Sequence, residues 1–109
     1  MYAVVSHIDE LTLVSVEGPL DAAASKEARG LFGSLLDQGH QRMVVDLAAV
    51  DFIDSSGLGV LVGLLKKIRA SEGELRIAGV SPSLMSIFEL TQVDRVFNLY
   101  DTADAALAA

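Results

Sequence analysis

Residues 43–61 read Met43-Val44-Val45-Asp46-Leu47-Ala48-Ala49-Val50-Asp51-Phe52-Ile53-Asp54-Ser55-Ser56-Gly57-Leu58-Gly59-Val60-Leu61, and the fold turns on where this stretch changes period. Met43 to Leu47 is a short apolar run broken only by Asp46, the pattern of a strand buried on both faces. From Leu58 the apolar residues recur as Leu58, Leu61, Val62, Leu65 and Ile68, which is helical spacing, with Lys66, Lys67, Arg69 and Glu72 on the other side late in the segment. Ala48 to Asp54 is therefore a loop from a strand to a helix that ends at Gly73, and the helix's cations complement the negative end of its dipole.

The same reading extends in both directions. Tyr2 to His7 and Leu11 to Glu17, separated by a polar break, predict a hairpin that stops at Gly18-Pro19. An Ala-rich amphipathic helix runs from Asp21 to Gly39, with Ala24, Ala28, Leu31 and Leu35, and Phe32 and Leu36, at helical spacing. Leu75 to Ala78 is a strand, Ser81-Pro82 opens a third helix, Val96 to Leu99 resembles a last strand, and Asp101 or Thr102 caps a short terminal helix. Strands joined by crossover helices pair in parallel, so the expected fold is α/β: one domain over residues 1–109, with a mixed sheet and about four helices.

Composition excludes several functions. The 109 residues are 51% apolar, enough for a core without staples, and no cysteine is present to build a thiol nucleophile, a Cys-based zinc site or a disulfide. A net charge of −7 with no basic block longer than Lys66-Lys67 argues against binding nucleic acid. The longest apolar run, Gly57 to Leu65, is far short of the ~20 residues that span a bilayer, and Met1 leads into a strand pattern with no basic n-region. The expectation is a soluble cytoplasmic protein without cofactor or metal, a monomer or weak dimer.

The chemistry concentrates in Asp51 to Gly59. Asp54 or Ser55 can cap the following helix, which is worth about 1 kcal/mol. Capping leaves Gly57, Gly59 and Gly63 unexplained, since each costs up to about 1 kcal/mol relative to Ala inside a helix. Gly59 and Gly63 share a face, which fits either tight packing on the sheet or a smooth docking surface. Ser-Ser-Gly-Leu-Gly lacks the Lys of a phosphate-binding loop and the third Gly of a dinucleotide fingerprint, and Asp54 would repel an anion. A nucleophilic Ser55 would need His7 or His40 as base, and neither belongs to a motif. Asp46, Asp51 and Asp54 have no metal-site spacing.

These residues carry a resemblance. Val45-Asp46-Leu47 followed by Val50 through Leu61 is similar to the signature of the STAS domains, in particular the bacterial anti-sigma factor antagonists. Gly18-Pro19-Leu20-Asp21 resembles that family's Gly-x-Leu-Asp element, with Pro19 standing where a polar or acidic residue is frequent. Ile77-Ala78-Gly79-Val80-Ser81-Pro82 and Phe88-Glu89-Leu90-Thr91 are similar to its later strand and helix, so the resemblance spans nearly the whole chain.

The resemblance implies that Ser55 is phosphorylated by an anti-sigma factor that is also an ATP-dependent serine kinase, and is dephosphorylated by a PP2C-type phosphatase. Only the unphosphorylated form binds the anti-sigma factor and frees the sigma factor. Asp21, Asp54, Ser56, Gly57, Leu58 and Gly59 are the implied partner-binding residues. A phosphate at position 55 adds about −1.5 to −2 charges. It is expected to meet free amides at the helix N-terminus, leaving the fold intact while burdening an acidic docking patch. The rival is an unphosphorylated STAS scaffold or regulatory subunit of a signalling or transporter complex.

Overall fold

A computed structural model describes residues 1–109. The elements are β1 (Tyr2–Ile8), β2 (Leu11–Glu17), α1 (Ala22–Asp37), β3 (Arg42–Ala49), α2 (Ser55–Ala70), β4 (Glu74–Ala78), α3 (Pro82–Leu90), a 3₁₀ turn (Val93–Arg95), β5 (Asn98–Tyr100) and α4 (Ala103–Ala108). The five strands form one sheet in chain order, with β1 antiparallel to β2 and every later pair parallel. Both the mixed sheet and the four helices agree with the sequence reading.

Asp9 makes the hairpin tight by adopting φ +55°, a conformation Asp tolerates better than most residues, and the pairing continues to Ile8 against Leu11. Thr12, Val14 and Val16 of β2 face inward, while β3 buries Met43, Val44, Val45 and Leu47 on both sides of the sheet. Because successive strands step across the sheet in one direction, crossovers of one hand put their helices on one face. There α1, α2 and α3 enclose the main core around Phe32, Leu61, Ile77 and Phe88. The opposite face is covered by α4 alone, with Ala106 against Val44 and Ala78.

Arg76 is the one cation in the interior, 5% exposed on the α4 side of β4. Its Nη1 donates to the Ala106 carbonyl at 2.6 Å, and its Nε and Nη2 donate to both Glu74 carboxylate oxygens at 3.0 and 3.2 Å. The same bonds hold the Glu74 carboxyl below the usual glutamate range: the hydrogen bonding from Arg76 leads, its charge and that of Arg42 reinforce it, and partial burial opposes. The guanidinium thus fixes the end of the short terminal helix to the sheet.

Element ends differ from the sequence reading in places. α1 stops at Asp37 rather than Gly39, and α2 stops at Ala70, with Ser71 as its cap and Glu72 at φ +60° before Gly73. The last strand begins at Asn98, because Phe97 turns into the core and packs against Phe88 with ring centroids 6.1 Å apart. The 3₁₀ turn that precedes it has no periodic signature. Thr102, not Asp101, caps α4 by accepting from Ala105 N at 3.1 Å.

Candidate functional site

Two loops meet at the carboxyl ends of the parallel strands, where open α/β sheets build their sites. The loop from β2 to α1 and the loop from β3 to α2 are laced together. Gly18 N donates to Ala49 O at 3.1 Å, Leu20 N donates to Phe52 O at 2.9 Å, and Leu20 forms a parallel bridge with Ile53. Leu20 and Ile53 are both buried, so this junction is plugged from below by apolar side chains.

Two aspartates start the two helices. Asp21 caps α1 by accepting from Ala24 N at 3.0 Å. Asp54 Oδ1 caps α2 by accepting from Ser56 N at 2.9 Å and Gly57 N at 3.0 Å, while its Oδ2 accepts from Ala22 N at 3.1 Å, in the first turn of α1. Of the two capping candidates, Asp54 therefore takes the role and Ser55 is left as the first residue of α2. The Ser55 side chain is exposed and takes no hydrogen bond within the chain, whereas the hydroxyls of Ser25, Ser71 and Ser86 donate to backbone carbonyls.

The capping changes the electrostatic picture. The amides of Ser56 and Gly57 are already given to the Asp54 carboxylate, and that of Leu58 to the Asp54 carbonyl at 3.0 Å. A phosphate on Ser55 would not find these first-turn amides free, contrary to the expectation from helix position alone. Its added charge would stand beside Asp54 without that neutralisation.

The residues singled out from the sequence divide by direction. Asp21, Asp54 and Ser56 are half-buried and Ser55 and Gly59 exposed, all at or near the surface of the junction. Gly57 and Leu58 turn inward. A Cβ on Gly57 would lie within the van der Waals shell of the Leu20 carbonyl oxygen, so Gly57 is what lets the two loops close; Leu58, 7% exposed, belongs to the core. These two support the surface from beneath. Gly59 and Gly63 point away from the sheet and meet no backbone, which removes close packing as the reason for them. Phe52 stands 51% exposed next to this junction, and its sequence gives no sign of it, because an apolar residue in a loop carries no periodicity to show whether it is buried.

Other chemistries do not assemble here. His7 pairs with Thr12, and Thr12 with Met43, at the amino ends of β2 and β3, the opposite end of the sheet from Ser55. There His7 stacks on His40, with ring centroids 4.6 Å apart. Neither imidazole can serve Ser55 as a base. Asp46 Oδ1 accepts from the Ala48 amide, and no group of three potential metal ligands occurs. No helix is long and apolar enough to cross a membrane.

A five-stranded mixed sheet with an exposed serine opening the helix after its central strand defines the chain as a small α/β domain. The chain belongs to the STAS domain family, whose sequence profile matches residues 2–106. It is 35% identical over 83 residues to the Staphylococcus aureus anti-sigma-B factor antagonist, covering 76% of this chain and 77% of that protein. A crystal structure of an anti-sigma factor antagonist from Mycobacterium paratuberculosis is similar, with TM-score 0.90 and 29% identity over 98% of this chain and 91% of that one. The fold is also that of the antagonist SpoIIAA in its unphosphorylated form, at TM-score 0.76 and 19% identity over 98% and 94% of the two chains.

Proposed function

We propose that this chain is an anti-sigma factor antagonist, a cytoplasmic regulator without catalytic activity of its own, switched by phosphorylation of Ser55. In the unphosphorylated state Asp21, Asp54, Ser56 and Gly59, underpinned by Gly57 and Leu58, form the surface that an anti-sigma factor kinase engages, and the sigma factor is released. Phe52 supplies this surface with an aromatic anchor of the kind that dominates protein interfaces. Phosphate on Ser55 ends the engagement, and a PP2C-type phosphatase restores it.

The single observation that carries this reading is the state of the Ser55 hydroxyl: exposed, without an internal hydrogen bond, and held at the head of a helix whose start is fixed by Asp54. Such a group is available to a kinase and costs the fold nothing when modified. It also lies in the Asp54 to Gly59 element that resembles the STAS signature.

Incubation with candidate anti-sigma factor kinases and ATP, read by intact mass, tests the proposal. Wild type should gain one phosphate and Ser55→Ala none. If wild type stays unmodified with every candidate, or Ser55→Ala is modified equally, the switch is not at Ser55, and a scaffold role takes its place.

A further inference from the structure

α1 and α2 lie side by side with their amino ends joined through Asp54, and between them runs a groove with a cavity of about 160 Å³. Phe32 and Leu36 of α1 and Val60 and Leu64 of α2 supply its apolar lining. The groove is open because Gly33, Gly59 and Gly63 stand where side chains would otherwise close it. The fold does not require these glycines: a Cβ on Gly33 or Gly63 would have nothing within 4 Å, and one on Gly59 would only make ordinary contact with Arg29 at 3.8 Å. Each is nonetheless less favourable than alanine in a helix by about 1 kcal/mol, with no packing in this chain to offset it. Gly30 is equally free but lies outside the groove.

Charge identifies what the groove fits. Arg29 and Lys67 line it, both exposed, and the ion pairs of this chain involve Arg42 and Arg76 instead. Two cations without a carboxylate partner in this chain, beside an apolar cleft on a chain of net charge −7, match an acidic, amphipathic occupant. Size narrows it further. A cavity near 160 Å³ compares with the ~150 Å³ that accommodates one benzene, and is well below the ~300 Å³ at which small-molecule sites begin, so it takes one large side chain rather than a metabolite. Along α2 the step from Gly59, beside Arg29, to Lys67 spans about 12 Å at 1.5 Å per residue, and a second helix laid in the groove covers that distance in two steps of four residues.

We infer that the α1–α2 groove docks a helix of a partner protein that carries carboxylate, large apolar residue and carboxylate at four-residue intervals, with the apolar residue in the cavity and the carboxylates at Arg29 and Lys67. Ser55, Gly59, Gly63 and Lys67 follow one another at the same interval on α2, so the docked helix points along a stripe that begins at Ser55. The inference does not depend on whether Ser55 is modified.

The test is amide NMR titration of the unphosphorylated full chain with an alanine-based helical peptide bearing Glu, Phe and Glu at those intervals. Saturable shifts should centre on Gly33, Gly59 and Gly63. The exposed double change Arg29→Glu and Lys67→Glu should weaken binding at least roughly tenfold. Gly63→Leu, which fills the cavity, should abolish it while leaving the thermal transition in place. The proposal is overturned if no shifts occur at millimolar peptide, or if a Lys, Phe, Lys peptide binds equally. It is also overturned if octanoate alone produces the same shifts, or if dilution without peptide does, which would mean that a fatty acid or a second copy is the occupant.

Discussion

Asp54 holds Ala22 from across the junction: its Oδ2 accepts the Ala22 amide of α1 at 3.1 Å while its Oδ1 caps α2. One carboxylate therefore satisfies helix-start amides of two helices and fixes their relative position beside Ser55. Asp54→Ala leaves those donors without their acceptor and should lower stability by about 2 kcal/mol, more than an ordinary single cap. Asp54→Asn keeps a carbonyl oxygen for α2 and should lose less. Urea denaturation of the three proteins checks the order, and an unchanged midpoint for Asp54→Ala would refute the double-cap account.

The helical glycines of α2 should respond in opposite directions. Gly57→Ala drives a methyl group against the Leu20 carbonyl, a backbone atom that cannot move without opening the junction, and should destabilise by about 2–4 kcal/mol. Gly63→Ala meets open space and should stabilise by up to about 1 kcal/mol. Thermal melts separate the two, and equal effects would show that the Gly57 contact is not restrictive.

That contrast also shows where sequence legibility ends. The change from an apolar run at Met43 to helical spacing at Leu58 displayed strand, loop and helix, because periodicity is a local property of the chain. The three glycines look alike in sequence, yet only Gly57 faces another backbone, and its neighbour Leu20 lies far away along the chain. Arg76 is similar: nothing in Leu75 to Ala78 announces that one arginine will be buried under α4 and satisfied by Ala106. The Ser55 element was readable because cap, serine and glycine are adjacent, whereas the occupied amides around it depend on which of two residues wins the cap.

Arg76→Met should preserve most of the packing but leave the Ala106 carbonyl unpartnered and Glu74 with Arg42 alone, 3.6 Å away, loosening α4 first. Hydrogen exchange at Ala106, whose amide donates to Thr102 O, should rise ahead of exchange in β3. The pH dependence should change too. Glu74 has a folded pKa below its unfolded value of 4.5, so its contribution is present above that pH and is lost as pH falls through the folded pKa. With 37% of its side chain exposed the contribution is small. Stability measured at about pH 6 and about pH 4 should therefore fall slightly more for wild type than for Arg76→Met, and a larger fall in the variant would contradict the ion pair.

Phosphorylation at Ser55 should act on docking and not on folding. The side chain is exposed, so the core is untouched, and the Ser56, Gly57 and Leu58 amides that would have neutralised a phosphate are already engaged by Asp54. The added charge therefore remains at the surface, next to Asp54 and near Asp21, where an approaching partner must displace its hydration. Aspartate carries less charge than the roughly −1.5 to −2 of a phosphate, so Ser55→Asp should be intermediate. Relative to wild type, affinity for the anti-sigma factor should fall about tenfold for Ser55→Asp and about a hundredfold or more for the phosphoprotein, or roughly 1.4 and 2.7 kcal/mol. Calorimetric titration gives the affinities and thermal melts should stay within about 1 kcal/mol of one another. Equal affinities for three folded proteins would mean that charge at position 55 does not control docking, whereas lost affinity together with a lowered melt would place the switch in the fold instead of on its surface.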